Sequence, residues 1–259
     1  LEGRVQSLAN ALPEAIAGFA NPKSSTGRLD VFTRVIADHG PGFDRIAPGY
    51  RGKLYLEICP QTFPIRARTG SRLAQIRFRQ KAANATNGAM PPREVTLSVD
   101  LSGAFSIVGY RAKRHTGIVD IDLSGAYDVE EFWEPLAATT SRRLILDPDE
   151  FYILASKEAV QVPATHAAEM EPFNALMGEF RVHYAGFFDP GFGMAETGGG
   201  GSRAVLEVRS HKVPFILEDG QTIGRLIFEP LAEPPAQLYG HEIGSHYQAQ
   251  ALKLSKHFR

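Results

Sequence analysis

The sequence has little of what a disulfide-bonded, zinc-binding or membrane-spanning protein needs. Cys59 is the one cysteine in 259 residues, which excludes an internal disulfide and any zinc site built from several cysteines. No hydrophobic run approaches the roughly 18 residues of a membrane-spanning helix. A single cysteine is typical of a reducing compartment, so we expect the protein in the cytoplasm and not in a membrane.

The sequence also lacks an excess of charge. Its 28 Lys and Arg residues nearly balance 29 Asp and Glu residues, leaving a formal net charge of −1. Proteins that bind the nucleic-acid backbone are usually strongly basic, so nucleic acid is not an expected partner. The histidines form neither a His-Glu-x-x-His motif nor the His-x-Glu and Pro-Cys-x-x-Cys pattern of zinc deaminases. We therefore expect no catalytic metal.

Helical periodicity is scarce, and short apolar runs broken by Gly, Pro, Asn and Asp dominate the chain. Helices are predicted only over residues 8–19, 129–138 and 164–180. Strands are predicted over residues 53–58, 73–78, 95–101, 105–110, 118–123, 151–156, 204–208 and 221–228. Many short strands at this spacing predict an all-β protein, a sandwich or a barrel.

One pattern occurs twice in the sequence, at a constant separation of 150 residues. Leu56-Glu57-Ile58 returns as Leu206-Glu207-Val208, and Pro, Gly and apolar positions that follow keep the same separation. Pro48-Gly49-Tyr50 returns as Pro190-Gly191-Phe192 at a separation of 142. The repeat predicts two copies of one β domain, at residues 1–80 and 93–259, joined by a small polar linker at 81–92.

The two copies differ in length ahead of the shared pattern. The second copy has 78 residues before Glu171, whereas the first has only 22 before the aligned Lys23. We therefore expect the printed chain to be part of a longer protein.

The first chemical motif is Lys23-Ser24-Ser25-Thr26-Gly27-Arg28. Its two cations, three hydroxyls and glycine can offer N–H and O–H donors and a bidentate guanidinium to one polyphosphate. The alternative is a solvated turn or a helix cap, because Ser, Thr and Gly are common in both. The motif is not a Walker loop, which needs a further spaced glycine.

Glu57 and Glu207 occupy the same position of the repeat, each within an apolar strand. Such a carboxylate either faces solvent or lines a cavity that raises its pKa toward the range of a general base. The strands alone leave both alternatives open for both glutamates. Two other segments are equally ambiguous: residues 187–192 are a simple turn or a base-reading hairpin, and the polar tail at 239–250 is frayed or covers a ligand.

Together these residues resemble the dCTP deaminase branch of the trimeric dUTPase superfamily. The stretch from Lys23 to Leu29 is similar to that family's Arg/Lys-Ser-Ser-x-x-Arg phosphate motif. Phe188-Asp189-Pro190-Gly191-Phe192, followed by Val205-Leu206-Glu207, is similar to its hairpin and to the strand that carries its catalytic glutamate. The resemblance implies two tandem dUTPase-like domains, each a distorted β-barrel or jelly roll.

The two copies depart from the family pattern in complementary ways. Pro172, Phe173 and Leu176 stand in the second copy where the two serines and the arginine belong. The first copy keeps that motif but has Ala47 at the position of the hairpin aspartate. The resemblance therefore implies a composite site, in which the phosphate motif of the first copy faces the hairpin and glutamate of a neighbouring copy. The second copy is the better donor.

The resemblance implies hydrolytic deamination of dCTP to dUTP and ammonia. Glu207 is the preferred general base, Glu57 is the alternative, and Ser24 orients the attacking water. The implied nucleotide-binding residues are Lys23, Ser24, Ser25, Arg28, Ala185, Asp189, Tyr239, His246, which replaces a family lysine, and Gln250. Mg²⁺ bound with the triphosphate, a homo-oligomer and feedback inhibition by dTTP are further expectations.

Two other functions stay open. The first is dUTP diphosphatase activity, alone or coupled to deamination, with Asp189 orienting water toward phosphorus. The second is binding of a deoxynucleotide without turnover, which the lost phosphate motif of the second copy would favour.

Overall fold

The computed structural model describes residues 3–4, 12–40, 42–80, 93–104, 106–172, 180–183, 186–195, 200–210, 212–240, 247 and 251–259. Within these residues the chain forms nineteen strands and two helices of four residues each, so the predicted all-β class is confirmed. Neither helix is long and apolar enough to cross a membrane.

The elements fall into two groups along the chain. Those before residue 81 are β1 (Gly3–Arg4), β2 (Ile16–Pro22), α1 (Ser24–Gly27), β3 (Val31–Ala37), β4 (Arg45–Ile46), β5 (Leu54–Pro60), β6 (Ile65–Arg66) and β7 (Ala74–Gln80). Those after residue 92 are β8 (Glu94–Ser98), β9 (Ile107–Ala112), β10 (Val119–Asp120), α2 (Val129–Phe132), β11 (Trp133–Ala137), β12 (Arg143–Leu146), β13 (Phe151–Val160), β14 (His166–Pro172), β15 (Phe180–His183), β16 (Phe187–Phe188), β17 (Ser202–Ser210), β18 (Phe215–Glu218) and β19 (Thr222–Pro230).

The sequence repeat is also a repeat of strand pairing. β2 pairs antiparallel with β7, and Ile16 lies opposite Gln80. β14 pairs antiparallel with β19, and His166 lies opposite Pro230, which is the same register displaced by 150 residues. In this register Pro172 is equivalent to Pro22, so the expected equivalence of Pro172 and Ser24 is wrong. β4 and β16 then join β2 and β14 respectively. The domain bounds 1–80 and 93–259 stay a prediction, because the linker at 81–92 lies outside the described residues.

Each repeat contributes two main sheets. The first repeat forms the sheets β1-β5-β3 and β4-β2-β7. The second forms the five-stranded sheet β11-β9-β13-β17-β15 and the four-stranded sheet β16-β14-β19-β8. Alternating side chains of both second-repeat sheets form one buried core that includes Leu97, Leu154, Leu206 and Leu226.

A second core joins the two repeats. Leu29 and Phe63 of the first repeat pack with Trp133, Ile153 and Val205 of the second, all of them buried. The short strands β6 and β10 also pair in parallel across the junction. Burial of such large apolar side chains stabilises the contact by roughly 1.5–3 kcal/mol per side chain. The repeats are therefore held firmly together where the functional residues meet.

The three helix predictions are wrong over most of their length. Of residues 129–138, only Val129–Phe132 is helical, and β11 begins at Trp133. Residues 166–172 form strand β14 in place of a helix, whereas 173–179 lie outside the described residues. Residues 16–19 belong to β2, whereas 8–11 lie outside the described residues. The physical reason is that β2 and β14 each hydrogen-bond along a full antiparallel partner, and this pairing overrides weak local propensity.

Candidate functional site

A cavity of about 560 Å³ lies at the junction of the two repeats. Its first-repeat wall consists of the Lys23–Arg28 motif and residues just before β7, and its second-repeat wall consists of the hairpin after β16, strand β17 and the C-terminal segment. The predicted site residues that line it are Lys23, Ser24, Ser25, Arg28, Asp189, Glu207 and Tyr239. The structure thus brings the two halves of the predicted composite site together within one chain.

The phosphate motif is shaped by one short helical turn. The N–H of Gly27 donates to the Lys23 carbonyl at 2.9 Å, and the N–H of Arg28 donates to the Ser24 carbonyl at 3.0 Å. Thr26 Oγ1 donates to the Leu73 carbonyl at 2.8 Å, which attaches the turn to the segment before β7. Because the turn is this tight, Lys23 and Arg28 both reach the cavity.

Arg28 is buried, with only 4 % of its surface exposed. Its Nη1 donates to the Lys253 carbonyl at 2.9 Å, and its Cζ lies 4.0 Å from the centroid of the Tyr247 ring. Burial lowers the pKa of Arg28, while Tyr247 and Glu207 raise it. A guanidinium stays charged in such surroundings, so the motif keeps a fixed cation inside the cavity.

Glu207 projects from the middle of β17 into the same cavity, and it is 5 % exposed. Its carboxylate lies against Gly27, where a Cβ would be 2.9 Å from Glu207 Cδ. Burial raises the pKa of Glu207 well above its usual range; Arg28 opposes this shift and Asp30 adds to it. A carboxyl group with a raised pKa is a stronger base than an ordinary carboxylate, which suits a general base.

Glu57 holds the equivalent position in the first repeat but lies in a different environment. Its side chain is 46 % exposed, and its Oε2 is 3.8 Å from Arg34 Nη1, a weak ion pair on the surface of β5. Glu57 does not line the cavity. Of the two predicted glutamates, the structure brings Glu207 to the phosphate motif and leaves Glu57 apart from it.

The hairpin that follows β16 is held by an arginine of the first repeat. Arg77 Nη2 donates to Asp189 Oδ1 at 3.1 Å, and Nη1 donates to the Ala168 carbonyl at 3.0 Å. Its Cζ also stacks 4.2 Å from the Phe187 ring centroid. Arg77 Nη2 also donates to the Phe188 carbonyl at 3.3 Å, so Arg77 fixes both the start of the hairpin backbone and the aspartate that faces the cavity. The sequence alone did not single out Arg77.

Part of the C-terminal segment covers this region. Tyr239 packs against Phe192 with ring centroids 5.7 Å apart, and burial raises the pKa of Tyr239 to about 12. Ser255 Oγ donates to the Ser25 carbonyl at 2.8 Å, which attaches the segment to the phosphate motif. The predicted site residues Ala185, His246 and Gln250 lie outside the described residues.

Two basic residues of the cavity were missed in the sequence. Arg72 and Lys256 line it, and after burial they are the next causes that lower the pKa of Lys23. With Arg28, these side chains place four cations around one cavity. The only sequence signal was that Arg72 lies just before the repeated position Leu73.

Two carboxylates of the cavity wall could serve as ligands for the expected Mg²⁺. Asp122 and Asp189 line it, while the part of the chain that the structure describes holds no group of three or more His, Cys, Asp or Glu side chains suited to a metal. Mg²⁺ commonly takes one or two carboxylates together with substrate phosphates. These residues therefore fit an ion carried mainly by a triphosphate.

The fold and the cavity define a class: an all-β protein whose cation-lined, nucleotide-sized site is shared by two repeats. The family model "2'-deoxycytidine 5'-triphosphate deaminase (DCD), C-terminal domain" matches residues 71–258, and the corresponding N-terminal domain model matches residues 5–82. The chain belongs to the 2'-deoxycytidine 5'-triphosphate deaminase family.

Relatives and solved structures agree with this assignment. The crystal structure of 2'-deoxycytidine 5'-triphosphate deaminase from Agrobacterium tumefaciens matches with a TM-score of 0.79 and 55% identity, covering 87% of this chain and 72% of that one. This neighbour confirms the predicted dUTPase-like fold. The "dCTP deaminase, dUMP-forming" of Halobacterium salinarum is 34% identical over 127 residues, 48% of this chain and 60% of the relative. The "dCTP deaminase" of Natronomonas pharaonis is 30% identical, with the same two shares of 48% and 60%. The chain spans about 60% of the length of these two curated relatives.

Proposed function

We propose that this protein deaminates dCTP to dUTP and ammonia, in the supply of pyrimidine deoxynucleotides. The observation that carries the proposal is that a buried glutamate, Glu207, shares one cavity with the cationic motif Lys23–Arg28. A triphosphate suits the cations, and a base with a raised pKa suits proton transfer at the nucleobase. Membership of the family and the names of its relatives support the same reaction.

Glu207 would act as a proton shuttle. It removes a proton from the attacking water as the water oxygen bonds to C4 of cytosine, and it delivers that proton to N3. The proton of the new C4 hydroxyl then passes to the amino group, the C4–N bond breaks, and ammonia leaves as the C4 carbonyl forms. Ser24, next to Lys23 in the cavity wall, would orient the water and stabilise the tetrahedral intermediate.

The cations of the cavity would hold the triphosphate. Lys23, Arg28, Arg72 and Lys256 approach from both repeats, so the phosphates would bridge the junction. Mg²⁺, with Asp122 and Asp189 within the cavity wall, would screen the phosphate charge. Ser25 is buried beside Ser24 and would contribute donors from the same turn.

The decisive experiment compares Glu207→Gln with Glu57→Gln, which changes the same position of the other repeat. Ammonia and pyrophosphate release from dCTP would be measured for both variants. We expect Glu207→Gln to lose at least about 1,000-fold in kcat because the base is gone. Glu57→Gln should stay within about twofold of the wild type. Full turnover in Glu207→Gln would refute the assignment of the base, and dCTP binding without ammonia from the wild type would identify a nucleotide-binding protein instead.

A second activity, hydrolysis of dUTP to dUMP and pyrophosphate, is favoured by two observations. Asp189 lines the cavity, and several relatives carry the name "dUMP-forming". The ion pair between Asp189 and Arg77 holds that carboxylate in place. Pyrophosphate release from dUTP that disappears in Asp189→Asn would establish this activity, whereas ammonia release alone would exclude it.

Three further expectations are proposals of the same kind. Copies of the chain would associate, which sedimentation would detect. The inhibitor dTTP would compete for the same cavity, which would raise the apparent KM for dCTP. The protein would lie in the cytoplasm, because a free thiol such as that of Cys59 is typical of a reducing compartment.

A further inference from the structure

An ion pair between Asp30 and Arg209 joins the phosphate motif of the first repeat to strand β17 of the second. Arg209 Nη2 binds Asp30 Oδ2 and also donates to Thr62 Oγ1 at 2.9 Å. Thr62 Oγ1 in turn donates to Asp30 Oδ2 at 2.6 Å, and Arg209 Nη1 donates to the Asp149 carbonyl. Both ions therefore have several fixed partners, which is the arrangement that makes a buried pair specific in geometry.

Asp30 closes the turn that carries Gly27 and Arg28. Its N–H donates to the Gly27 carbonyl at 2.8 Å, and its carbonyl accepts from the N–H of Gln61 at 2.9 Å. Its φ is 56°, in the left-handed region that Asp and Asn tolerate better than most residues. The Asp30 side chain is 1% exposed and that of Arg209 is 13% exposed, so the pair is largely shielded from solvent.

Arg209 and Glu207 project from the same side of β17, because alternate residues of a strand share a face. Val205 lies on that face as well and packs with Leu29 of the first repeat. One face of one strand thus presents an apolar anchor, the proposed base and a cation to the phosphate motif. Cys59 stands at the position equivalent to Arg209 in the first repeat, so the cation occurs on the strand whose glutamate faces the cavity.

We infer that the Asp30–Arg209 ion pair positions Glu207 for catalysis. It holds the turn at residues 27–30 against β17 and so sets the carboxylate of Glu207 beside Gly27 and Arg28. The inference rests on the proposed function, since it gives both residues a role in placing the base. Neither lines the cavity, so they are positioning residues that act through Glu207.

The charges around Glu207 give this pair a second, measurable effect. The charged and titratable groups near Glu207 are Arg28 in the phosphate motif, Asp30 just after it, Asp189 on the hairpin, and Tyr239 and Tyr247 on the C-terminal segment. Arg209, two residues further along β17, is the ion-pair partner of Asp30. After burial and Arg28, Asp30 is the third cause that shifts the pKa of Glu207, and it raises that pKa. Arg209 carries the opposite charge and balances Asp30. Removing Asp30 alone should therefore lower the pKa of Glu207, and removing Arg209 alone should raise it.

The test uses the full chain with Asp30→Asn, Arg209→Met and the double variant. Asparagine keeps the shape of Asp30 and tolerates its positive φ, and methionine keeps most of the Arg209 stem. The double variant removes both charges at once, so it remains informative if Arg209→Met fails to fold with an unpaired Asp30. Asp100→Asn is the matched control, because it breaks the ion pair between Asp100 and Arg203 of β17, which lies away from the phosphate motif.

Two readouts are needed. The first is the titration of Glu207, followed by infrared difference spectroscopy of its carboxyl band with Glu207→Gln as the reference. Asp30→Asn should move the titration to lower pH, Arg209→Met to higher pH, and the double variant should return near the wild type. The second readout is dCTP turnover, in which each variant should lose about tenfold in kcat with less than a threefold change in KM. Asp100→Asn should leave both readouts unchanged.

Each result supports or overturns the inference. Opposite shifts with reduced kcat support it. Unchanged titration in folded Asp30→Asn and double variants, or kcat losses as large in Asp100→Asn, overturn it in favour of a purely structural pair. The titration does not require turnover: if the wild type releases no ammonia from dCTP, the proposed function fails, while the coupling of Asp30, Arg209 and Glu207 is still decided.

Discussion

Gly27 lies directly against the carboxylate of Glu207, although the two residues belong to different repeats. A Cβ at position 27 would come within 2.9 Å of Glu207 Cδ and Oε1, closer than real Cβ contacts allow. The turn is helical, so space and not an unusual φ requires glycine here. The contact is the point at which the phosphate motif meets the proposed base.

Gly27→Ala should therefore displace the base while leaving the fold intact. The added methyl group must push the Glu207 carboxylate aside, and a displacement of about 1 Å can cost about 100-fold in rate. We expect kcat for dCTP to fall by about 10- to 100-fold with a smaller change in KM. Gly42→Ala is the control, because a Cβ there meets nothing within 4 Å. Equal kinetics in the two variants would show that Glu207 can move without loss.

The class of fold was predictable because strand alternation and turn residues are local signals. The repeat was predictable as well, since Leu56-Glu57-Ile58 and Leu206-Glu207-Val208 keep one register in sequence and in pairing. The choice between Glu57 and Glu207 was not predictable, because both strands alternate alike and only the packing of the other repeat buries Glu207. Arg72 and Lys256 were missed for a related reason: they meet only in three dimensions.

Arg77 provides a second test, now of the hairpin. Arg77→Ala removes the hydrogen bonds to Asp189 and to the Ala168 carbonyl, each of the charge-assisted kind that contributes about 1.5–3 kcal/mol. We expect the hairpin to loosen, and KM for dCTP to rise about tenfold or more with a smaller effect on kcat. Arg79→Ala, two residues along β7, breaks ion pairs with Glu169 and Glu229 away from the cavity. Steady-state kinetics of both variants check this, and a matching rise in KM for Arg79→Ala would contradict it.

The buried carboxyl of Glu207 should also make stability depend on pH. Its pKa in the folded protein is raised by burial, so the folded state binds a proton more tightly than the unfolded state. The wild type therefore loses stability as pH rises from the unfolded pKa of about 4.3 through the raised folded value. Glu207→Gln is neutral at every pH, so its Tm relative to the wild type should increase with pH across that range. Thermal melts between pH 5 and 9 measure this difference, and a difference that stays constant would contradict the raised pKa.

The shared register of β2–β7 and β14–β19 shows that both repeats have the same strand pairing, although they contribute different residues to the cavity. In an assembly of identical single-domain chains, every copy must keep both the phosphate motif and the glutamate strand. In this chain the phosphate motif and the glutamate strand that serve one cavity are encoded 150 or more residues apart. Each wall can therefore be altered, by selection or by an engineer, without a matching change in the equivalent segment of the other repeat. Cys59, which stands where the second repeat has Arg209, marks a position where the two repeats have already diverged.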